Sequence, residues 1–202
     1  MARSVRSIVL MLLCGAVGCA ESTEGVSEAE ALTPAPSQSA PKRPPTPSSG
    51  PMLPIMAGLG LGAIRLGANT LTIERLMEAP CEIKTDELCR YVTRGVDFHL
   101  VAGETAWIHV QRAGRPAGRD VRGEPIEFGF FRGAIPPDIR LGMIPHAVQE
   151  ALGRPGRVEK IPQPNPTTIV ERHYYPGLVV EYDRYSNGKL ILGGVRIVKN
   201  DS

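Results

Sequence analysis

The chain has 202 residues, of which 23 are Lys or Arg and 21 are Asp or Glu, giving a formal net charge of +2. Two of the basic residues, Arg3 and Arg6, lie in a segment that we expect to be removed on export, so the mature chain has as many acidic as basic residues. Nucleic-acid binding requires a concentrated positive surface, and this neutral balance argues against that class of protein.

The amino-terminal segment is typical of an exported bacterial lipoprotein. Arg3 and Arg6 precede an apolar stretch over residues 8–17, and small residues lead up to Cys19. This order characterises a secretory signal, and the stretch is about half of the ~20 residues that a membrane-spanning helix needs. Ala16-Val17-Gly18-Cys19 resembles a lipobox, so we expect residues 1–18 to be removed and Cys19 to carry the lipid. The alternative is an ordinary secretory signal cleaved near Ala20.

Two further features concern the compartment. Ala20 follows the lipidated cysteine in place of the aspartate that retains lipoproteins in the inner membrane, which favours the outer membrane of a Gram-negative cell. Cys14 lies in the removed segment, so Cys81 and Cys89 remain as a pair in an oxidising compartment. Such a pair is expected to form a disulfide, and a metal site is the alternative.

Residues 19–54 are predicted to be a disordered tether. They contain eight prolines among Ser, Ala, Thr and Glu, with few large apolar side chains. Such a segment cannot bury enough surface to offset the entropy of ordering its backbone.

An internal repeat divides the remainder into residues 55–116 and 117–202. Ile64-Arg65-Leu66-Gly67 recurs 75 residues later as Ile139-Arg140-Leu141-Gly142. Apolar residues then follow at helical spacing in both copies. We expect Asn69 or Thr70 to cap the first helix and Pro145 to lie in the first turn of the second. The helices should end by Pro80 and Pro155.

Alternating apolar and polar residues follow each helix and predict antiparallel strands. The first copy has this pattern at residues 96–100 and 106–111, and the second at 178–183 and 190–198, with a hairpin turn at Asn187-Gly188. We therefore predict an α+β fold, in which two helix-plus-antiparallel-strand repeats form a small sheet domain behind the tether.

Short motifs in the second copy resemble those of a known family. Ile139-Arg140-Leu141-Gly142-Met143, Leu152-Gly153-Arg154-Pro155 and Tyr174-Tyr175-Pro176-Gly177-Leu178 are similar to the SmpA/OmlA (BamE-like) pattern of helix opening, helix end and aromatic hairpin. The first copy departs from it, with Ala68 in place of Met. The same superfamily includes the β-lactamase inhibitor protein, which is similar in having two tandem repeats. The resemblance implies an envelope protein that binds other proteins, with no catalytic residues to carry over.

Residues for catalysis or cofactor binding do not stand in a convincing arrangement. The sequence has no G-x-S-x-G motif and no H-x-x-x-H or H-E-x-x-H spacing, so we expect neither an enzyme nor a cofactor. His99 and His109 could face each other across a hairpin and hold a metal, but the pattern places no carboxylate beside them. We expect them to be solvent-facing strand histidines with no metal.

The parity of the strand at residues 105–111 indicates a binding surface. If Ala106, Ile108 and Val110 face the core, Trp107 and His109 lie on the opposite face together with His99. Exposed tryptophan is a frequent anchor of protein interfaces. We predict that Trp107, His99 and His109 contact a partner. The alternative is that Trp107 packs over the sheet edge or against the other copy.

The segment between the copies, residues 112–125, contains four arginines among glycines: Arg112, Arg115, Arg119 and Arg122. We predict a mobile, solvated connection. A contact with an anionic protein surface or with lipid headgroups is the alternative.

Together these features predict a lipid-anchored envelope module that acts as a scaffold or binding protein in outer-membrane assembly or maintenance. Its expected partners are the membrane, through the lipid, and an unidentified envelope protein, with no nucleic acid and no small-molecule substrate. The alternative is an inhibitor or immunity-type protein that blocks a toxin or a hydrolase.

Overall fold

The fold is described from a computed structural model, which describes residues 50–135, 137–162, 168–185 and 187–200. The predicted signal peptide, Cys19 and the tether as far as residue 49 lie outside the described residues. The packed part of the chain reaches back to Leu53, which contacts the hydrophobic core. The carbonyl of Pro54 accepts a hydrogen bond from the Gly62 amide (2.7 Å).

Thirteen strands are present in the described residues. In chain order they are β1 (Ile55–Met56), β2 (Gly60–Leu61), β3 (Ile64–Arg65), β4 (Ile83–Lys84), β5 (Leu88–Tyr91), β6 (Val96–Val101), β7 (Glu104–Gln111), β8 (Pro116–Arg119), β9 (Pro125–Glu127), β10 (Arg157–Lys160), β11 (Ile169–Tyr175), β12 (Leu178–Arg184) and β13 (Leu190–Ile197).

Eight of these strands form one antiparallel sheet in the order β10-β11-β12-β13-β7-β6-β5-β4. Strands β4–β7 form one meander and β10–β13 form another. The last strand of each meander, β7 and β13, pair with each other through residues 108–111 and 194–197. Because those strands lie side by side, both meanders share one continuous surface on each face. Two small sheets, β1-β2-β3 and β8-β9, lie outside the large one.

Two α-helices, α1 (Thr70–Met77) and α2 (Pro145–Leu152), are described. Both begin as predicted. The side chain of Asn69 accepts a hydrogen bond from the Thr72 amide (2.9 Å) and caps α1, while Pro145 lies in the first turn of α2. Neither described helix has the length and apolar character that crossing a membrane requires.

The hydrophobic core lies between the helices and one face of the large sheet, which we call the inner face. Alternate residues of the central strands reach it, including Phe98, Ile108 and Val180, all at most 1% exposed. The helices add Ile73, Met77 and Val148, and the β1–β3 sheet adds Ile55, Leu61 and Ile64.

The predicted disulfide is confirmed. Cys81 and Cys89 are bonded, with 5.3 Å between their Cα atoms. The bond links the segment that follows α1 to strand β5, and nearby the Tyr91 hydroxyl donates to the carbonyl of Ala79 (2.7 Å). These contacts hold the carboxyl end of α1 against the sheet.

The predicted fold class is wrong. The described residues are mostly β, with 43% in strands and 13% helical. Eight of the strands join in one antiparallel sheet, which replaces the two predicted α+β repeats. Each α-helix has only eight residues. Both helices lie where the helical spacing predicted them. They are short, however, and cover only part of the sheet. The division into residues 55–116 and 117–202 stays a prediction.

Candidate functional site: the outer face of the sheet

The face of the large sheet opposite the core, here called the outer face, carries polar side chains across its full width. The predicted parity of β7 is confirmed at Ile108 and Val110, which are buried in the core, while Trp107 and His109 lie on the outer face. Ala106 departs from the prediction because the register shifts beside it. Thr105 takes the buried position, and its hydroxyl donates to the carbonyl of Ala68 (2.7 Å).

Pairing registers place one outer-face residue from each of seven adjacent strands in a single line. In sheet order the line consists of Arg157, Tyr174, Val179, Arg196, His109, Asp97 and Arg90. A second line beside it consists of Glu159, Arg172, Glu181, Gly194 and Gln111. Directly opposed residues on one face lie about 4.5–5.5 Å apart at Cβ, so charged groups in these lines are close neighbours.

Glu181 is the centre of these contacts. Its carboxylate is 0% exposed, and four cationic or imidazole groups surround it. Oε1 lies 2.5 Å from Nη2 of Arg196 and 3.2 Å from Nε of Arg172. Oε2 lies 3.1 Å from Nε2 of His109 and 3.5 Å from Nη2 of Arg115. One buried negative charge therefore binds groups from β7, β11, β13 and the segment after β7.

The arginines keep Glu181 ionised. Burial by itself raises the pKa of this carboxyl, because it removes the charge from water. The adjacent imidazole of His109 and the charges of Arg196 and Arg115 lower the pKa by more than burial raises it, so the pKa lies below its ordinary range.

Gly194 makes this convergence possible. It occupies the position between Glu181 and Gln111 in the second line. A Cβ atom at Gly194 would lie 2.4 Å from Nη1 of Arg115 and 2.8 Å from Nε2 of His109. Any side chain here would displace both groups, and glycine is therefore required by space rather than by backbone conformation.

His109 is buried, at 7% exposed. The amide nitrogen of Gln111 lies 2.9 Å from its Nδ1, and the Gln111 amide is oriented because its Oε1 accepts from Arg115 (2.6 Å). Nδ1 is thus the acceptor, which places the ring hydrogen on Nε2, facing Glu181. Burial lowers the pKa of His109 despite the opposing effect of Glu181, so the ring is neutral at neutral pH.

The segment after β7 covers one part of the outer face. Arg115, 5% exposed, donates to the carbonyl of Gly193 (3.1 Å) and to Oδ1 of Asp183 (3.1 Å). Nη1 of Arg90 donates to the carbonyl of Ala117 (2.5 Å), and its guanidinium lies 5.1 Å from the ring centroid of Phe128. The prediction of a solvated connection over residues 112–125 is therefore wrong at Arg115, whose charge is bound within the domain.

His99 and Trp107 lie beyond the covered part. They are directly opposed on β6 and β7, and their rings stack with centroids 4.5 Å apart and planes inclined by 12°. Both side chains are partly exposed. Burial lowers the pKa of His99 to about 4, so its ring is neutral at neutral pH and presents an aromatic surface continuous with the indole.

One cluster has the composition of a metal site. Asp97, His99 and His109 each place a ligand atom within 4.8 Å of the others, so Asp97 is the carboxylate that the sequence pattern did not reveal. However, Arg90 donates to both oxygens of Asp97, at 2.7 and 2.9 Å. The Gln111 amide nitrogen lies 2.9 Å from Nδ1 of His109 and 3.4 Å from Oδ2 of Asp97. Because donors already engage both oxygens of Asp97 and one ring nitrogen of His109, we assign these two residues to the hydrogen-bonded network.

The part of the outer face that the covering segment leaves open is aromatic and basic. It presents the Trp107–His99 stack and the side chains of Arg196 (29% exposed) and Arg172 (25% exposed). Shallow clefts adjoin it on both sides. One is lined by Tyr174, Val179, Val198 and Lys199, and the other by His99, Trp107, Asp86 and Glu87.

The structure therefore brings the three predicted binding residues to one face but gives them different positions. Trp107 and His99 reach the surface, whereas His109 is buried beneath it, 3.1 Å from Glu181. The prediction that His109 faces solvent is therefore wrong. Arg172, Glu181 and Arg196 were not among the residues predicted from sequence. The alternation of polar with apolar residues in β12 and β13 could have indicated the face of Glu181 and Arg196, but not the convergence of the three residues.

The comparisons with protein-family models, with curated proteins and with solved structures found no match. The resemblance to the SmpA/OmlA (BamE-like) family stays a prediction.

Replacing the central carboxylate should strongly destabilise the domain. Glu181→Gln keeps the size of the side chain but leaves the buried Arg115 and its neighbours with too little negative charge, and we expect the free energy of unfolding to fall by about 3–5 kcal/mol. The control is Glu159→Gln, because the side chain of Glu159 is 40% exposed and its Oε2 lies 3.8 Å from Nη1 of Arg172. This substitution should lower the free energy of unfolding by about 0–1 kcal/mol. Chemical denaturation measures both, and equal losses would contradict the central role of Glu181.

His99 should make the domain sensitive to mild acid. Its pKa is about 4 in the folded chain against an ordinary 6.5, so the unfolded chain takes up the proton first. The stability that His99 contributes is complete above about pH 6.5 and is lost as the pH falls towards 4, and at pH 5 the loss is at most about 2 kcal/mol.

The measurement is the free energy of unfolding at neutral pH and at pH 5. His99→Phe keeps an aromatic ring against Trp107 and should lose less stability on acidification than the wild type. His146→Gln is the control, because the side chain of His146 is 78% exposed, and it should retain the full acid loss. An unchanged acid loss in His99→Phe would refute the assignment.

Proposed function

We propose that this domain is a non-catalytic protein-binding module of the bacterial cell envelope, held to the outer membrane by a lipid on Cys19. The observation that carries the proposal is the open part of the outer face, where the partly exposed Trp107 lies diagonally across from Arg196, which Glu181 holds in place. It acts as a scaffold in assembly or maintenance of the envelope through contacts at this face.

The composition of the open surface supports binding. Tryptophan, tyrosine and arginine are the residue types that most often dominate the energy of a protein interface. Here Arg196 and Arg172 are held by a common oxygen of Glu181, and the Trp107 ring is held by its stack on His99. Because these side chains are already ordered, they lose less conformational entropy when a partner binds.

The use of the titratable groups also favours binding over catalysis. Both ring nitrogens of His109 face partners within the domain, Gln111 and Glu181. Arg90 engages both oxygens of Asp97, and Glu181 is fully buried. A general acid or base must reach a substrate proton, and these groups instead hold the sheet and its covering segment together.

The membrane attachment rests on the sequence Ala16-Val17-Gly18-Cys19, which follows a basic start and a short apolar stretch. Several acyl chains on one cysteine give stable anchoring, because each buried methylene contributes about 0.8 kcal/mol. The proline-rich residues that follow would separate the folded domain from the lipid.

Lipid attachment is tested by metabolic labelling of the full chain with a clickable palmitate analogue. Cys19→Ala should abolish the label and release the protein from membranes, because no other cysteine stands at the cleavage position. The matched control is Cys14→Ala, which removes a cysteine five positions earlier and should leave labelling unchanged. Persistent labelling of Cys19→Ala would sink the anchor proposal.

Partner contact is tested by site-specific photocrosslinking of the full chain in the cells that produce it. A photoreactive p-benzoylphenylalanine in place of Trp107 should yield a discrete protein adduct. The same residue in place of Val121, which is fully exposed on the turn between β8 and β9, is the control and should not yield that adduct. Absence of an adduct at position 107, or the same adducts at both positions, would contradict the proposed surface.

Trp107→Ala supplies the matching measurement of stability. Loss of the stack on His99 contributes about 0.5–1.5 kcal/mol beyond the buried area. Because Trp107 is only partly buried, the total loss should stay below the ~3–5 kcal/mol expected for a fully buried aromatic residue. The variant should therefore remain folded while partner capture is lost. Unfolding at the growth temperature would instead assign Trp107 to the core.

A further inference from the structure

We propose that the partner presents an extended acidic segment, in which a carboxylate side chain contacts Arg196 and Arg172 and an apolar or aromatic side chain two residues away packs on Trp107. This inference rests on the proposed function, since it specifies the partner chemistry of the same surface.

The charges of the outer face favour an acidic ligand. Arg90 and Asp97 form one neutral pair. In the rest of the two lines, together with Asp183 and the two arginines bound to it, the arginines are Arg112, Arg115, Arg157, Arg172 and Arg196, and the acids are Glu159, Glu181 and Asp183. Two positive charges are therefore left without a balancing acid in this group. The buried Glu181 fixes the arginines without neutralising them all.

Arg196 and Arg172 are placed to share one carboxylate. Arg196 Nη2 and Arg172 Nε contact the same oxygen, Glu181 Oε1, at 2.5 and 3.2 Å. Their guanidinium groups are therefore adjacent, and both side chains are still partly exposed to solvent. Charge-assisted hydrogen bonds from arginine are the strongest that an exposed carboxylate makes.

The sheet register determines the spacing of the ligand groups. Arg196 on β13 is directly opposite His109 on β7. Trp107 also lies on β7, two residues from His109 and on the same face. Such diagonal neighbours lie about 7–8 Å apart. In an extended peptide, residues i and i+2 lie on one side at about 6.6–6.8 Å. An acidic residue and an apolar residue separated by one position therefore match Arg196 and Trp107.

The surroundings of Trp107 set the direction of the segment. Asp86 and Glu87 line the cleft on the His99 side, whereas Lys199 lines the cleft beyond Val198 and Val179. The acidic end of the ligand should therefore point towards β11–β13 and the apolar end towards β6, because the reverse direction would bring like charges together.

The test uses the fluorescence of Trp107, which is the only tryptophan in the chain. The purified full-length mature lipoprotein in neutral detergent is titrated with the peptide acetyl-Ser-Glu-Ser-Phe-Ser-amide. It is also titrated with an otherwise identical peptide that has glutamine in place of glutamate, and with one that has two serines between glutamate and phenylalanine. The first peptide should change the Trp107 emission and bind about tenfold more tightly than either of the others, with affinity falling as salt is added.

Two variants and a control locate the effect. Arg196→Gln and, as a second variant in case the first does not fold, Arg172→Gln should reduce the preference for glutamate to about twofold or less. Arg122→Gln removes the same charge from the exposed turn between β8 and β9 and should keep the full preference.

Each other outcome overturns the inference. Equal binding of the glutamate and glutamine peptides, or an unchanged preference in both variants, would reject the acidic ligand while leaving the photocrosslinking test of the proposed function intact. No response to any peptide would also reject it. Vesicles containing anionic lipid that bind through Arg196, with no peptide effect, would assign the surface to the membrane.

Discussion

A carboxylate without access to water, Glu181, is the constraint on which the outer face depends. Its charge is compatible with burial only because Arg115, Arg172, Arg196 and His109 surround it. These groups come from two strands of one meander, from the last strand of the other, and from the segment that crosses the face. One ion cluster thus joins the two meanders, which are distant in sequence, and Gly194 keeps the necessary space open.

This arrangement separates the outer face into two parts with different properties. Under the covering segment, Arg90, Asp97, Gln111 and Arg115 satisfy one another and leave little for a ligand. Beyond it, Trp107 lies diagonally across from Arg196, whose guanidinium is held by Glu181 and is still partly exposed. The buried part therefore acts on binding indirectly, because it orients the exposed groups and lowers the entropy lost when a partner arrives.

Prediction from sequence succeeded where neighbours along the chain decide the outcome, and its failures have physical causes. The cap at Asn69, Pro145 in the first turn of α2 and the parity of Ile108 and Val110 depend on backbone geometry within a few residues. The fold class was wrong because helical spacing does not reveal how little of the surface two short helices cover. At Ala106 a register shift, which depends on the paired strand β6, moved the residue away from its expected position.

The sequence by itself determined the helix starts, the alternation of the central strands, the Cys81–Cys89 pair and the presence of Trp107 on the face opposite the core. The tertiary structure alone decided that β7 pairs with β13 and that Arg115 reaches Asp183 and Glu181. It also decided that His109 is buried while His99 is not. The physical reason is that alternation specifies which face a side chain occupies, whereas burial and pairing on that face depend on which distant segments are placed across it.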